Sequence, residues 1–158
     1  MPDYPMLTTL LDLPDVRVTH YQLVGRDRLN LFVESTAPAA LCPQCHHPST
    51  TLHDTAEPQM LRDLSIWGRR CWLRYAPCRF RCPTCHTTFV ERLAWREAGW
   101  DYTVRYEQWL YERAVHEPVA QIAQSEHLSE DTVEGIFARW AKKTDRARLP
   151  TREGAVPG

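Results

Sequence analysis

No stretch of the 158-residue sequence approaches the roughly 18 apolar residues that a membrane span needs, so no transmembrane anchor is expected. The opening MPDYPMLTTLLDLPDV carries acids where a secretory signal would carry positive charge, and no long apolar run follows. The cytoplasm is the expected compartment. An excess of charge of one sign is also lacking: the formal net charge is -1, and the sum does not announce a nucleic-acid binder. Internal repeats are absent apart from two related cysteine turns. A catalytic constellation is missing as well, because Asp63, Glu91 and Asp101 show no metal-site spacing. An enzyme is not expected.

What is present suits one medium domain or two small ones. The apolar fraction is 43%, with six tryptophans, six tyrosines and four phenylalanines to fill compact cores. Charge is unevenly placed. The first sixty residues hold seven acids against three arginines, whereas Leu61 to Arg96 holds Arg62, Arg69, Arg70, Arg74, Arg79, Arg81, Arg92 and Arg96. A near-neutral chain can therefore still present a basic face.

The patterning predicts a short helix over Leu7 to Leu13, closed by Pro14. VRVTHYQLVG alternates as a strand, Gly25-Arg26-Asp27 turns, and RLNLFVES returns as the second arm of a hairpin. TAPAALCPQCHHPST reads as loop. A second β unit starts near Leu61, where RRCWLRYAPCRFRC forms a long arginine-rich strand that Pro77 bends or places at an edge. TTFVERL is a short strand, and from Thr103 the period shifts towards 3.6. The expected fold is α+β: a small β-rich, zinc-ribbon-like domain over residues 1–97, a three-helix helix-turn-helix domain over 98–145, and a flexible tail over 146–158.

The strongest local signal is the duplicated turn Cys42-Pro43-Gln44-Cys45-His46 and Cys82-Pro83-Thr84-Cys85-His86. Two cysteines separated by two residues aim both thiolates at one centre, and two such knuckles complete a tetrahedron around zinc. The 36 residues between Cys45 and Cys82 exceed the roughly 15–20 of a compact two-pair site, and a hairpin or crossover can carry the second knuckle back. One structural Zn2+ is expected. The spacing is shared with rubredoxin-like iron, whereas a redox pair would need one low-pKa thiol beside a helix N-terminus. The residue after the second cysteine, often glycine in such knuckles, is histidine in both. Cys71 and Cys78 have no knuckle and read as buried or half-buried thiols.

PVAQIAQSEHLSEDTVEGIFARWAKK has the grammar of a helix-turn-helix. Pro118 suits a first helical turn, Val119, Ile122 and Ala123 give an apolar face, Ser129 caps the next helix, and Val133, Ile136, Phe137 and Trp140 face inward. An earlier helix, about Val104 to Val115, supplies Trp109, Leu110 and Val115 as packing partners. In the DNA-reading arrangement the last helix enters the major groove. Glu130, Asp131 and Glu134 open that helix with the wrong sign for phosphates. Arg139, Lys142 and Lys143 follow with the right one, and Thr132 can reach a base edge or phosphate. Arg69, Arg70, Arg74, Arg79 and Arg81 are the expected phosphate contacts of the β-rich domain. Double-stranded DNA is thus the expected partner. The rival reading is a protein-interaction adaptor, or a self-associating chain, that uses the acidic helices.

LLDLPDVRVTHYQL, VESTAPAALCPQC, LRDLSIWGRR, CRFRCPTC and VAQIAQSEHLSEDTV stand in an order that resembles the N-terminal part of the ISL-three family of insertion-sequence transposases. The resemblance covers roughly Leu10 to Lys143. It implies that Cys42, Cys45, Cys82 and Cys85 are metal ligands, that Leu61-Arg62-Asp63-Leu64 is a pre-strand motif, and that Ser129 to Val133 starts the second DNA-binding helix. It further implies recognition of transposon-end DNA. Full-length members continue into an acidic-triad nuclease domain. No such domain fits between Lys143 and Gly158, so cutting chemistry is not expected in this chain.

Overall fold

A computed structural model describes residues 3–148, and the chain divides into two compact units, Met1–Tyr106 and Glu107–Gly158. In the first, helix α1 (Pro5–Leu11) begins on a proline and ends where Asp12 turns left-handed at φ 50. It is tied to strand β1 (Val16–Val24): the Thr8 hydroxyl accepts the Val18 N–H at 2.9 Å, and Tyr4 N–H donates to Val18 O at 3.2 Å. β1 pairs antiparallel with β2 (Arg28–Ser35), as the alternation predicts.

The segment around Leu61 forms β6 (Gln59–Ile66), and a tight turn at Trp67-Gly68 leads into β7 (Arg69–Tyr75). Both turn residues have positive φ, 49 and 74, the twist that a two-residue hairpin loop needs. β7 then lies parallel to β2, giving a mixed sheet of order β1-β2-β7-β6. Period-two alternation sends Leu29, Leu31, Val33, Leu61, Cys71, Leu73 and Tyr75 to one face, where they bury with Leu11, Val16, Val18, Leu93 and Trp95.

The long arginine-rich strand is in fact two strands. Pro77 interrupts it, so β7 stays in the large sheet while β8 (Cys78–Arg81) joins a second sheet between β5 (Leu52–Thr55) and β9 (Thr88–Val90). The two-residue strands β3 (Ala40–Leu41) and β4 (Pro48–Ser49) pair beside it. This small part has its own core of Cys42, Phe80, Cys82 and Phe89. LRDL lies inside β6, not before a strand: Leu61, Arg62 and Asp63 are all buried.

Residues 98–106 belong to the first unit. Arg62 N–H donates to Asp101 O and Thr103 N–H to Arg62 O, both at 2.9 Å, extending the β6 edge by one short parallel bridge. That is why the division between the units falls at Tyr106, inside helix α2 (Val104–His116).

The second unit holds the rest of α2, then α3 (Val119–Glu126) and α4 (Glu130–Arg148). His127 turns left-handed at φ 54, and Leu128 N–H reaches back to Ala123 O at 2.9 Å, closing α3 in a Schellman-type turn. Ser129 Oγ then accepts Thr132 N–H at 3.1 Å, the N-cap expected of it. Leu110, Ile122, Ala123, Val133 and Ile136 are buried. Val115 is 54% exposed and does not pack as expected; Tyr111 replaces it, with its ring 5.3 Å from Phe137 and 6.5 Å from Trp140. The helix continues through Arg146 to Arg148, and the remainder of the expected tail lies outside the described residues. No helix among the described residues is long and apolar enough to cross a membrane.

Candidate metal centre and nucleic-acid interface

The two knuckles converge. One joins β3 to β4 and the other joins β8 to β9, so each cysteine pair sits at the end of a short antiparallel arm. Each turn is closed identically: His46 N–H to Cys42 O at 2.9 Å and His86 N–H to Cys82 O at 3.0 Å. The return bonds run from Cys42 N–H to His47 O at 3.0 Å and from Cys82 N–H to Thr87 O at 2.9 Å. Both histidines hold φ near +60, which is the conformation glycine usually supplies. They serve the turn and are not needed as ligands.

The four sulfurs lie within 4.8 Å of one another, with Cys42 to Cys85 at 3.5 Å and Cys45 to Cys82 at 3.4 Å. Tetrahedral zinc with bonds of about 2.3 Å places its sulfurs about 3.8 Å apart, so the set fits the ion. The acidities tell the same story. Hydrogen bonding with the Thr87 side chain and backbone pulls Cys85 down to about 6, and the Cys85 backbone N–H holds Cys82 below its ordinary value. Cys45 gains from the His47 N–H, yet burial and the neighbouring sulfurs push it up to about 12. Four thiols this close cannot all ionise without a cation, and a divalent metal takes all four as thiolates. One structural zinc ion belongs here. In a closed four-thiolate shell it supplies folding energy and no open catalytic position. Cys71 is buried at the large sheet and pushed up to about 12 by burial, so it remains a protonated packing thiol.

Two buried acids hold this scaffold, and sequence reading did not assign either a role. Glu91, 4% exposed, accepts the Tyr75 hydroxyl, the Ser35 hydroxyl at 2.8 Å and the Cys78 N–H at 3.2 Å. It links β2, β7 and β8, and so joins the large sheet to the zinc-bearing one. Asp63 accepts Arg105 Nε at 2.8 Å, Arg105 NH2 at 2.5 Å and the Thr103 hydroxyl at 2.7 Å, while Arg105 NH1 also donates to Leu11 O at 2.8 Å. Its neighbour Arg62 lies between the rings of Trp72 and Tyr106, 5.3 and 5.1 Å from their centroids. LRDL is thus a docking motif for the chain entering α2. The motif itself was the available signal, but its partners lie about forty residues away.

The expected DNA contacts are placed unevenly. Arg74 and Arg81 are exposed on β7 and β8, and Lys142 is exposed on α4. Arg70 pairs with Asp27 at 2.7 Å, and Arg79 forms a fork with Asp54 whose Nε–Oδ1 arm is 2.5 Å. That pairing holds the Asp54 carboxyl below its ordinary range. Arg69 is half-buried beside the turn at Trp67. Thr132 is half-buried and bonds Ser129 Oγ at 2.7 Å, and the Lys143 ammonium lies 5.0 Å from the Trp140 ring centroid.

Arg139 is bound to the fully buried Glu107 carboxylate, with Nε–Oε1 at 3.1 Å, while burial raises the Glu107 pKa above the ordinary carboxylate value despite that partner. Arg139→Gln is therefore expected to destabilise the helical unit by about 2–3 kcal/mol, allowing for the partial exposure of the arginine. Thermal melting monitored by circular dichroism reads this; an unchanged melt would mean the pair is not stabilising.

Comparison with known families places both regions. Residues 38–85 match the zinc-finger of transposase IS204/IS1001/IS1096/IS1165, and residues 97–141 match the helix-turn-helix domain of transposase family ISL3. Neither a curated protein nor a solved structure matches the chain. The first match holds all four converging cysteines, and the second spans α2, α3 and most of α4. Together they cover more than half of the sequence, and the chain belongs to the ISL3 transposase family, of which it carries the zinc-ribbon and helix-turn-helix DNA-binding region.

Proposed function

We propose that this chain recognises double-stranded transposon-end DNA without itself cutting it, in the cytoplasm and on the nucleoid when bound. The observation that carries the reading is the Schellman turn at His127 running directly into a Ser129-capped α4. This leaves the first turns of α4 with an exposed face at Glu130, Asp131 and Glu134. In the helix-turn-helix mode, that part of the second helix meets the major groove. Zinc acts at a distance, by fixing the strands that bear Arg79 and Arg81.

Arg74, Arg81 and Lys142 would reach phosphates without breaking an existing ion pair, and Lys143, Thr132 and Arg69 can add to them. Arg70, Arg79 and Arg139 would first have to leave Asp27, Asp54 and Glu107. Arg81→Ala and Lys142→Ala are each expected to lower the slope of log K against log salt by about 0.9, the contribution of one phosphate.

Selection from random duplex DNA with zinc-loaded protein tests the reading directly. One enriched motif is the expected result. The acidic opening of α4 favours the adaptor reading instead, and a flat pool with no salt-dependent DNA affinity would establish it over DNA recognition.

A further inference from the structure

One face of the large sheet carries the core, while the other is covered at Arg62 and open at His20, Gln22 and Arg74. Register fixes what the other carries, since directly paired residues share a face. One row across the strands is His20, Phe32, Arg74 and Met60; the next is Gln22, Asn30, Trp72 and Arg62; the third is Val24, Arg28 and Arg70. Arginine and aromatic side chains interleave here. The Arg28 guanidinium lies 4.0 Å from the Trp72 ring centroid, that of Arg74 lies 5.4 Å from Phe32, and the His20 ring is 5.1 Å from Phe32.

Carboxylates next to this face are already engaged: Asp27 by Arg70, and Glu34 by Arg17 at 2.8 Å. Among the described residues, Arg28 and Arg74 form no ion pair, so this face keeps positive charge unbalanced. Arg74, His20 and Gln22 are exposed, and Arg28, Asn30, Phe32 and Trp72 are half-open to solvent. Arg28 Nε donates to Asn30 Oδ1 at 2.9 Å, which orients the amide on the same surface.

We propose that this arginine–aromatic face binds single-stranded DNA. A guanidinium laid on a ring presents a second flat, cationic surface, and aromatic rings beside it offer stacking platforms. The occupant that fits both is a polyanion carrying free π-faces. Paired bases in a duplex hide those faces inside the stack, whereas unpaired bases offer them, together with phosphates for Arg28 and Arg74. The amides of Asn30 and Gln22 supply donors and acceptors for base edges. The proposal rests on the reading that the chain binds DNA, and assigns to the sheet a role distinct from that of the helices.

The test uses full-length, zinc-loaded protein, a labelled oligothymidine and a labelled duplex, with anisotropy measured at low salt. Arg28→Ala is expected to weaken oligothymidine binding severalfold while duplex affinity changes less than twofold, and adding Arg74→Ala is expected to deepen the oligothymidine loss to at least tenfold. Lys142→Ala with Lys143→Ala is expected to do the converse. Phe32→Leu keeps apolar volume but removes a ring, and should cost severalfold on oligothymidine alone. Zinc content and melting temperature identify variants that have lost their fold. Arg28→Lys with Arg74→Lys keeps the charge; full retention of oligothymidine affinity in that variant would overturn stacking on this face. So would equal losses on both probes, or no oligothymidine binding by the unaltered chain. Failure of duplex selection with intact, sheet-dependent oligothymidine binding would remove the duplex reading and leave this one standing.

Discussion

Cys82→Ser protein is expected to hold no stoichiometric zinc and to lose the ribbon part of the fold, and strong chelator should do the same to the unaltered chain. The reason is size. The ribbon core consists of two cysteines and two phenylalanines, with Phe80 and Phe89 stacked 6.2 Å apart, and one of its sheets is a pair of two-residue strands. So little burial cannot offset the entropy of ordering the knuckles. Apparent zinc-binding free energies in finger peptides are about 10–16 kcal/mol, as large as the whole stability of an ordinary domain.

The large sheet has a separate and fuller core, so loss should be local. Hydrogen exchange is expected to speed up over β3, β4, β8 and β9 while the centres of β2 and β7 stay protected. Acidification should act like chelator, because protons compete with zinc for the thiolates; metal affinity therefore falls as pH falls. Retained protection in the ribbon after complete metal removal would refute the scaffold described above.

Arg105→Ala is expected to cost about 3 kcal/mol or more, roughly 10 °C in melting temperature for a unit of this size. The Asp63 side chain is fully buried and takes three of its hydrogen bonds from Arg105 and Thr103. Removing the guanidinium strands a carboxylate away from water, and also leaves Leu11 O without its donor. Asp63→Asn keeps the shape but removes the charge, and should cost less. In the double change the two losses should not add, because the second substitution removes the charge that the first left unpaired. Thermal melts of the two single variants and the double variant measure this; additive losses would show that the pair is not coupled.

The metal site was legible because its chemistry is local. Two residues between cysteines set each turn, and duplication of the turn implied a shared ion. The helix-turn-helix was legible for a similar reason: Pro118, Ala123, Ser129 and Ile136 act within one or two helical turns of themselves. The hairpin of β1 and β2 follows from alternation around Gly25-Arg26-Asp27. The segment around Pro77 was read as one strand bent or placed at an edge there, whereas its buried positions change phase at the proline, from Cys71, Leu73 and Tyr75 to Phe80 and Cys82, because its two halves lie in different sheets.

The long-range ion pairs could not be foreseen, unlike the i,i+4 pair of Arg113 and Glu117. Arg79 with Asp54, Arg70 with Asp27 and Arg139 with Glu107 join residues far apart in the chain, and each pairing changes what an arginine is free to touch. The sequence by itself determined the zinc site, the order of the two parts and the helical turn, since periodicity and turn chemistry are short-range. Which arginines remain unpaired, what LRDL holds and which residues share the open face of the sheet were decided by strand register and crossover, because charge and ring contacts depend on distance in space and not on separation along the chain.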